Sequence, residues 1–208
     1  MIYEKIEESG IHYKKADFKV EVHFLGQIVG VSNIIETDAV FLEAYIECDD
    51  NQWKFLSFPK LIQTQTSFID YRHFACFSHP FDIHLTTENI HGWPRMVVRI
   101  FKFGDDDKAV LLSYGTCLLP NTSGYHEIEF DTWQLGENIY NETLSFFMES
   151  KPNLSGMDPV NSDLSDRVNI VAKPGPKVHI NVEVILRNFS FQVLSGVEEK
   201  EKEQNEEI

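Results

Sequence analysis

The chain has little of what a secreted, membrane-spanning or nucleic-acid-binding protein needs. Its three cysteines, Cys48, Cys76 and Cys117, are odd in number and widely spaced, so we expect no disulfide framework and a reducing, cytoplasmic compartment. No apolar run approaches the roughly 18 residues of a membrane span, and the acidic start is unlike a signal peptide. Basic residues are outnumbered 18 to 33 by acidic ones, and the net charge of −15 argues against binding nucleic acid.

Catalytic motifs are also lacking. The sequence contains no Gly-x-Ser-x-Gly elbow, no phosphate-binding glycine loop and no His-Glu-x-x-His helix. Ser78, His79 and Asp82 supply the residue types of a catalytic triad. However, Ser78 and His79 are neighbours on an extended chain and point to opposite faces, so they cannot activate each other. We therefore predict no catalytic residues and no enzymatic activity.

Histidine and cysteine are concentrated in one stretch, which raises the question of zinc. His73, Cys76 and His79 are spaced three apart, and His84 and His91 follow. Imidazole and thiolate are good zinc ligands. A spacing of three nevertheless distributes side chains over both faces of a strand, and no Cys-x-x-Cys pair is present. We expect Cys76 to be a buried apolar thiol, the histidines to cap or flank a strand, and none of these residues to bind metal.

Aspartates in two predicted turns raise the question of calcium. Asp105, Asp106 and Asp107 form one acidic loop, and Asp49 and Asp50 form another. Calcium takes six to eight oxygen ligands, usually from more than one loop, and the sequence does not show that these two meet. The same residues also favour solvated turns. We predict turns, with neither a metal site nor a cofactor.

What the chain does have is apolar residues in strict alternation. Apolar residues make up 42% of the sequence, with 16 Phe, which is enough for a sizeable core. The even-numbered residues of 20–28 and 178–184 share one face, and we expect them to be buried while their odd-numbered neighbours contact water. Phe81, Ile83 and Leu85 repeat the pattern. Residues 96–101 are almost continuously apolar, which predicts a central strand covered on both faces.

The remaining chain reads mainly as strands and turns. Gly92 permits a turn and Pro94 keeps Trp93 out of a helix, so we predict that Trp93 packs at the mouth of the central strand. A four-residue period over 135–148 predicts one short helix. Residues 174–176 (Pro-Gly-Pro) predict the turn of a final hairpin. About eight strands with one helix indicate an all-β, antiparallel β-sandwich.

The sequence suggests one domain with two additions. Residues 1–18 are mixed in charge without clear periodicity, and we interpret them as an N-terminal extension. Residues 19–190 form the domain, and 191–208 form an acidic C-terminal tail.

Four stretches in order resemble one known family. These are residues 22–30 (VHFLGQIVG), 78–85 (SHPFDIHL) with 92–95 (GWPR), the strand 114–120 ending at Pro120, and 178–189 (VHINVEVILRNF). Together they resemble the B9 domain of ciliary transition-zone proteins, over roughly residues 20–189. The resemblance implies a C2-like β-sandwich, which sharpens the fold expected from the strand pattern.

The resemblance also implies a function. It suggests a non-catalytic scaffold of the Meckel syndrome (tectonic-like) complex at the ciliary transition zone and basal body, associated with the cytoskeleton, that supports cilium assembly and gating of ciliary membrane composition. The implied partners are other B9-domain proteins, namely B9 domain-containing protein 1 and the Meckel syndrome type 1 protein, together with the ciliary membrane surface. The alternative is a calcium- or phosphoinositide-dependent membrane-binding C2-type module. A basic face or a complete set of acidic loops would favour that alternative, and neither is evident.

Overall fold

The computed structural model describes residues 19–35, 37–57, 61–103, 108–135 and 172–189, and ten strands lie within these ranges. The strands are β1 (Val20–Ser32), β2 (Ala39–Glu47), β3 (Trp53–Phe55), β4 (Leu61–Gln63), β5 (Ser67–Phe68), β6 (Phe74–Thr87), β7 (Arg95–Phe103), β8 (Ala109–Leu118), β9 (Gly124–Leu135) and β10 (Ala172–Arg187).

The strands form one antiparallel sheet that curls around a single core. Their order is β3-β6-β1-β10-β9-β8-β7-β2-β4, with β5 paired to β2. Side chains from β1, β6 and β10 meet those from β2, β7 and β8 in one apolar cluster, so the two halves of the sheet face each other. A bridge between Ile69 and Ala75 links the end of β5 to β6 at one end of the molecule. The predicted antiparallel, all-β class is confirmed, although the described strands number ten rather than about eight.

Alternation in β1 and β10 follows the predicted pattern. Val20, Val22, Phe24 and Ile28 are fully buried, and the even-numbered residues of 178–184 are at most 1% exposed. Each strand buries its apolar set because side chains point alternately to opposite faces of a sheet. Glu183, an odd-numbered neighbour, is exposed. The predicted register of both strands is therefore confirmed.

Two glycines of β1, Gly26 and Gly30, occupy positions where a side chain does not fit. A Cβ added to Gly26 would lie 2.2 Å from the carbonyl oxygen of Asn181 and 2.7 Å from Cζ of Phe81. The backbone of β10 and the Phe81 ring of β6 therefore lie close to β1 at this point, and the residue at position 26 must be glycine.

Strand β6 is longer than the alternation of residues 81–85 indicates. It begins at Phe74 and contains an irregularity, because the register against β1 shifts between Ile28 and Gly30. Ser78 lies at this bulge with φ +46°, a left-handed conformation that bulges commonly use. Beyond the bulge, Phe81, Ile83 and Leu85 are buried as predicted.

The prediction of a turn at residues 174–176 is wrong. Residues 172–187 form one continuous strand, and its register against β9 shifts between Pro174 and Lys177. A bulge at this point accommodates the prolines, which lack the N–H that a regular ladder would use. Gly175 is needed because an added Cβ would lie 2.5 Å from Oγ1 of Thr132.

Strand β7 is central, as predicted. It lies between β8 and β2, and Met96, Val97 and Val98 are all fully buried, so both faces of the strand are covered over this stretch. The predicted helix at 135–148, the extension 1–18 and the tail 191–208 lie outside the described residues. Within the ranges that are described, no helix has the length and apolar character that a membrane crossing requires.

Candidate functional site

The histidines and the cysteine considered for zinc make separate contacts. His73 directs Nδ1 to the carbonyl oxygen of Ile34 at 3.1 Å. The expectation that Cys76 is buried is wrong: its side chain is exposed, because alternation in β6 buries Ala75 and Phe77 instead, and its Sγ lies 3.5 Å from Oγ of Ser78. His79 directs Nδ1 to Gln65 at 3.4 Å. Within the described residues, no three side chains of His, Cys, Asp or Glu are arranged to hold a metal ion.

The aspartates considered for calcium are only partly described. Asp105, Asp106 and Asp107 lie outside the described residues. Asp49 stabilises a turn: its carbonyl oxygen accepts from Trp53 N at 2.8 Å and its Oδ1 accepts from Asn51 N at 3.0 Å. This is the local hydrogen bonding that makes aspartate common in turns.

The triad residue types do not assemble. Asp82 lies 2.6 Å from Nε2 of His23, on the neighbouring strand, rather than beside His79. The Ser78 hydroxyl and the His79 ring bond to the different partners given above. These side chains therefore lack the shared hydrogen bonds that nucleophilic catalysis requires.

Trp93 packs at one end of the core, as predicted. Its ring makes edge-to-face contacts with Trp53 and Phe189, with centroids 5.4 and 6.0 Å apart. Its Nε1 donates to the carbonyl oxygen of Leu119 at 2.9 Å, and the N–H of Leu119 donates to the carbonyl oxygen of Pro94 at 3.3 Å. Trp93 therefore ties the chain that leaves β8 to the chain that enters β7.

A row of ionisable side chains crosses the outer face of β1 and β6. His23 and His84 lie directly opposite each other, and their rings stack with centroids 4.5 Å apart. His23 pairs with Asp82 at 2.6 Å, and His84 lies 3.5 Å from Glu21. The alternating sequence pattern predicts that these side chains lie on the outer faces of their strands, but only the pairing of β1 with β6 brings them together. Glu21 also pairs with Arg187 on β10 at 3.3 Å, and such contacts between neighbouring strands are typical of cross-strand stabilisation.

Three large apolar side chains are exposed at the end of the sheet away from Trp93. Ile35, Phe68 and Tyr71 are 82%, 80% and 83% exposed, and Cζ of Arg72 lies 5.2 Å from the centre of the Tyr71 ring. A hydrogen bond from Ile34 N to the carbonyl oxygen of His73 joins the loop carrying Ile35 to the turn carrying Tyr71. Sequence reasoning missed this surface, because an exposed apolar residue in a loop has no periodic signal.

Within the part of the chain that the structure describes, strand β9 has an open edge. It pairs with β10 along its length, but its pairing with β8 is limited to Tyr114–Trp133 and Gly115–Thr132. Side chains on its outer face are exposed and mostly acidic: Glu127, Glu129 and Asp131. Because an edge strand presents unpaired backbone groups, β9 is a candidate surface for binding another protein.

Comparison with known proteins identifies the family. A family model, B9-C2, described as "Ciliary basal body-associated, B9 protein", matches residues 22–185. This match covers most of the chain and all ten strands except the first two residues of β1 and the last two of β10. The chain belongs to the B9-C2 family of ciliary basal body-associated proteins.

Individual relatives agree with the family match. The chain is 31% identical to human B9 domain-containing protein 2 over 169 residues, which are 81% of this chain and 95% of that protein. It is 30% identical to the mouse protein of that name with the same coverage. It is 26% identical to the Drosophila melanogaster protein of that name over 175 residues. A solved structure of a C2 domain from plant Extended Synaptotagmin 1 aligns with a TM-score of 0.43 at 7% identity, covering 81% of this chain and 95% of that one.

Family membership confirms the resemblance that the four sequence stretches indicated. The B9 family is associated with the ciliary basal body, which gives the chain a cilium-related location. It is not known as a family of enzymes.

Proposed function

We propose that this protein is a non-catalytic scaffold of the ciliary transition zone, within the Meckel syndrome (tectonic-like) complex. In this role it binds the other B9-domain proteins, B9 domain-containing protein 1 and the Meckel syndrome type 1 protein, beside the ciliary membrane and the cytoskeleton of the basal body. Binding supports assembly of the cilium and control of its membrane composition. The family match over residues 22–185 is the observation that carries the proposal.

Two physical features support a binding role. Over most of its length, the edge of β9 that faces β8 has no strand partner among the described residues, and sheets recruit other chains through such edges. The net charge of −15 favours basic partner surfaces and disfavours attraction to anionic lipid. The protein therefore contacts other proteins directly, and it reaches the membrane through the complex.

Co-expression tests the proposal. We expect residues 19–190 to co-elute with B9 domain-containing protein 1 from a size-exclusion column at micromolar concentration, without added nucleotide, metal or lipid. Specific interfaces usually bury about 1,200–2,000 Å², which is sufficient for such a complex. Separate elution of the two proteins would contradict the proposal.

The acidic tail provides a control on where binding occurs. A form that includes residues 191–208 should associate faster at low salt than the form that ends at 190, because additional negative charge accelerates encounter with a basic partner. Both forms should reach the same complex. Loss of the complex in the shorter form would show that binding requires residues outside the domain.

A further inference from the structure

The open edge of β9 arises because β8 is held away from it. Between Leu118, where β8 ends, and Gly124, where β9 begins, only five residues intervene, a connection short enough for a hairpin. Instead, the strands separate after Gly115 and Thr132. Leu119 is 3% exposed and bonds to Trp93 and Pro94, so the chain leaving β8 stays with β7. The separation is built into the packing of the core.

The length of the open edge is set at both ends. At its start, Nε2 of His126 lies 2.9 Å from the carbonyl oxygen of Thr122, which keeps the preceding loop close to the strand. At its end, Thr132 pairs with Gly115. Residues 127–131 therefore have no strand partner on this side among the described residues, over about 17 Å of strand at roughly 3.4 Å per residue. This is the length of an ordinary β-strand in a globular protein.

The side chains along this edge form two distinct rows. On the inner face, Ile128 and Phe130 pack against the core but are only partly buried, whereas their cross-strand partners on β10 are at most 1% exposed. On the outer face, Glu127, Glu129 and Asp131 are exposed. A strand added here would place alternate side chains over the apolar row and beside the acidic row.

We propose that residues 127–131 of β9 bind an extended segment of a partner protein by strand addition, and that this segment alternates apolar residues with Lys or Arg. The inference rests on the proposed scaffold function and names the surface that carries it. The acidic row disfavours two other binding partners, a second copy of this chain and an anionic lipid surface. The second copy would bring the same negative charges, and the lipid would be repelled. Lys177 offsets part of the acidity, at 4.0 Å from Glu129 and 3.8 Å from Asp131, and among the described residues no such cation lies beside Glu127.

A synthetic probe tests the edge without a natural partner. The probe is a fluorescent ten-residue peptide of alternating Lys and Val, and its counterpart has Glu in place of Lys. We expect the Lys peptide to bind the full chain and the Glu peptide not to bind. Hydrogen–deuterium exchange should show new protection of amides within 125–131, since the open side of β9 would gain hydrogen bonds. Protection confined to other strands would overturn the inference.

Charge reversal separates this edge from general acidity. Glu127→Lys combined with Asp131→Lys should weaken the Lys peptide about tenfold, because two cross-strand attractions become repulsions. Asp50→Lys is the matched control, an exposed acidic residue in the turn before β3. Compared singly, Glu127→Lys should weaken binding more than Asp50→Lys. Equal effects of the two single variants would show attraction to net charge alone and would overturn strand addition.

The same variants in complex with B9 domain-containing protein 1 distinguish the two proposals. If the complex forms, the double variant should weaken it and residues 125–131 should be protected in the unaltered complex. An undiminished complex without that protection would overturn the inference and leave the scaffold function standing. If no complex forms but the Lys peptide binds at the edge, the result contradicts B9 domain-containing protein 1 as the partner and supports residues 127–131 as a binding surface.

Discussion

Replacing Gly26 with alanine should destabilise the domain, because the added methyl group has no room beside the backbone of β10 and the Phe81 ring of β6. Its new Cβ would lie 2.2 Å from the carbonyl oxygen of Asn181, whereas real Cβ atoms essentially never approach within 3.0 Å. Strand β10 must therefore move by at least 0.8 Å, the difference between those two distances. Because Gly26 opposes Val182 on β10 and Phe81 on β6, the movement strains both ladders at once.

The magnitude follows from the contacts that must change. Weakening about two ladder hydrogen bonds costs roughly 0.5–1.5 kcal/mol each. Crowding the Phe81 ring, which lies 2.7 Å from the new atom, adds the roughly 1–3 kcal/mol of an overpacked core. We expect the free energy of unfolding to fall by about 3 kcal/mol. For a chain of this size, that corresponds to a decrease in Tm of about 6–12 °C.

Urea unfolding followed by tryptophan fluorescence measures this change, with circular dichroism to confirm that the variant is folded. Gln27→Ala is the control, since Gln27 is the next residue on the same strand and points away from the core. It should change the free energy of unfolding by less than about 0.5 kcal/mol. A Gly26→Ala variant as stable as the Gln27→Ala variant would refute the close approach of the three strands.

Two further predictions concern burial. Val182→Asp should lower the free energy of unfolding by about 3–5 kcal/mol, because Val182 is fully buried and an aspartate there would be an unpaired charge. Glu183→Gln, at the exposed neighbouring position, should leave the free energy of unfolding in urea nearly unchanged. A larger loss of stability for Glu183→Gln than for Val182→Asp would contradict the register of β10. Burial raises the pKa of the Cys117 thiol to about 11, so its reactive thiolate is scarce at pH 8. Iodoacetamide should therefore label exposed Cys76 much faster than Cys117, as mass spectrometry of single Cys→Ser variants can measure, and equal rates would contradict the burial of Cys117.

Periodicity predicted which faces of the strands are buried but not which strands are neighbours. The apolar alternation of β1, β6 and β10 is local information, and the structure follows it closely. That β1 lies between β6 and β10 depends on contacts between residues far apart in sequence, for which a single chain offers no local signal. The stacked histidines result from the pairing of β1 with β6, and the open edge of β9 results from the separation of β8 from β9, so neither could be predicted from spacing.

The prolines near the start of β10 predicted a turn where the structure has a continuous strand. Residues 174–176 have the composition of a turn, and turn composition usually ends a strand. Here Thr132 accommodates the bulge, as its hydroxyl group donates to the carbonyl oxygen of Pro176. A hydrogen bond from a residue 44 positions earlier thus overrides the local preference for a turn.

The position of β1 between β6 and β10 determines when the domain can complete its fold. The side chains of Glu21 and Arg187, paired near the end of this ladder, are 166 positions apart in sequence. At roughly 5–20 residues per second, the ribosome needs about 8–33 s to synthesise that interval. During that time one edge of β1 has no β10 to pair with, and the apolar inner face of β1 is incompletely covered. Folding of the sheet is therefore completed only near the end of translation, and a nascent or truncated chain that ends before residue 172 would depend on chaperones to keep β1 from pairing with other chains.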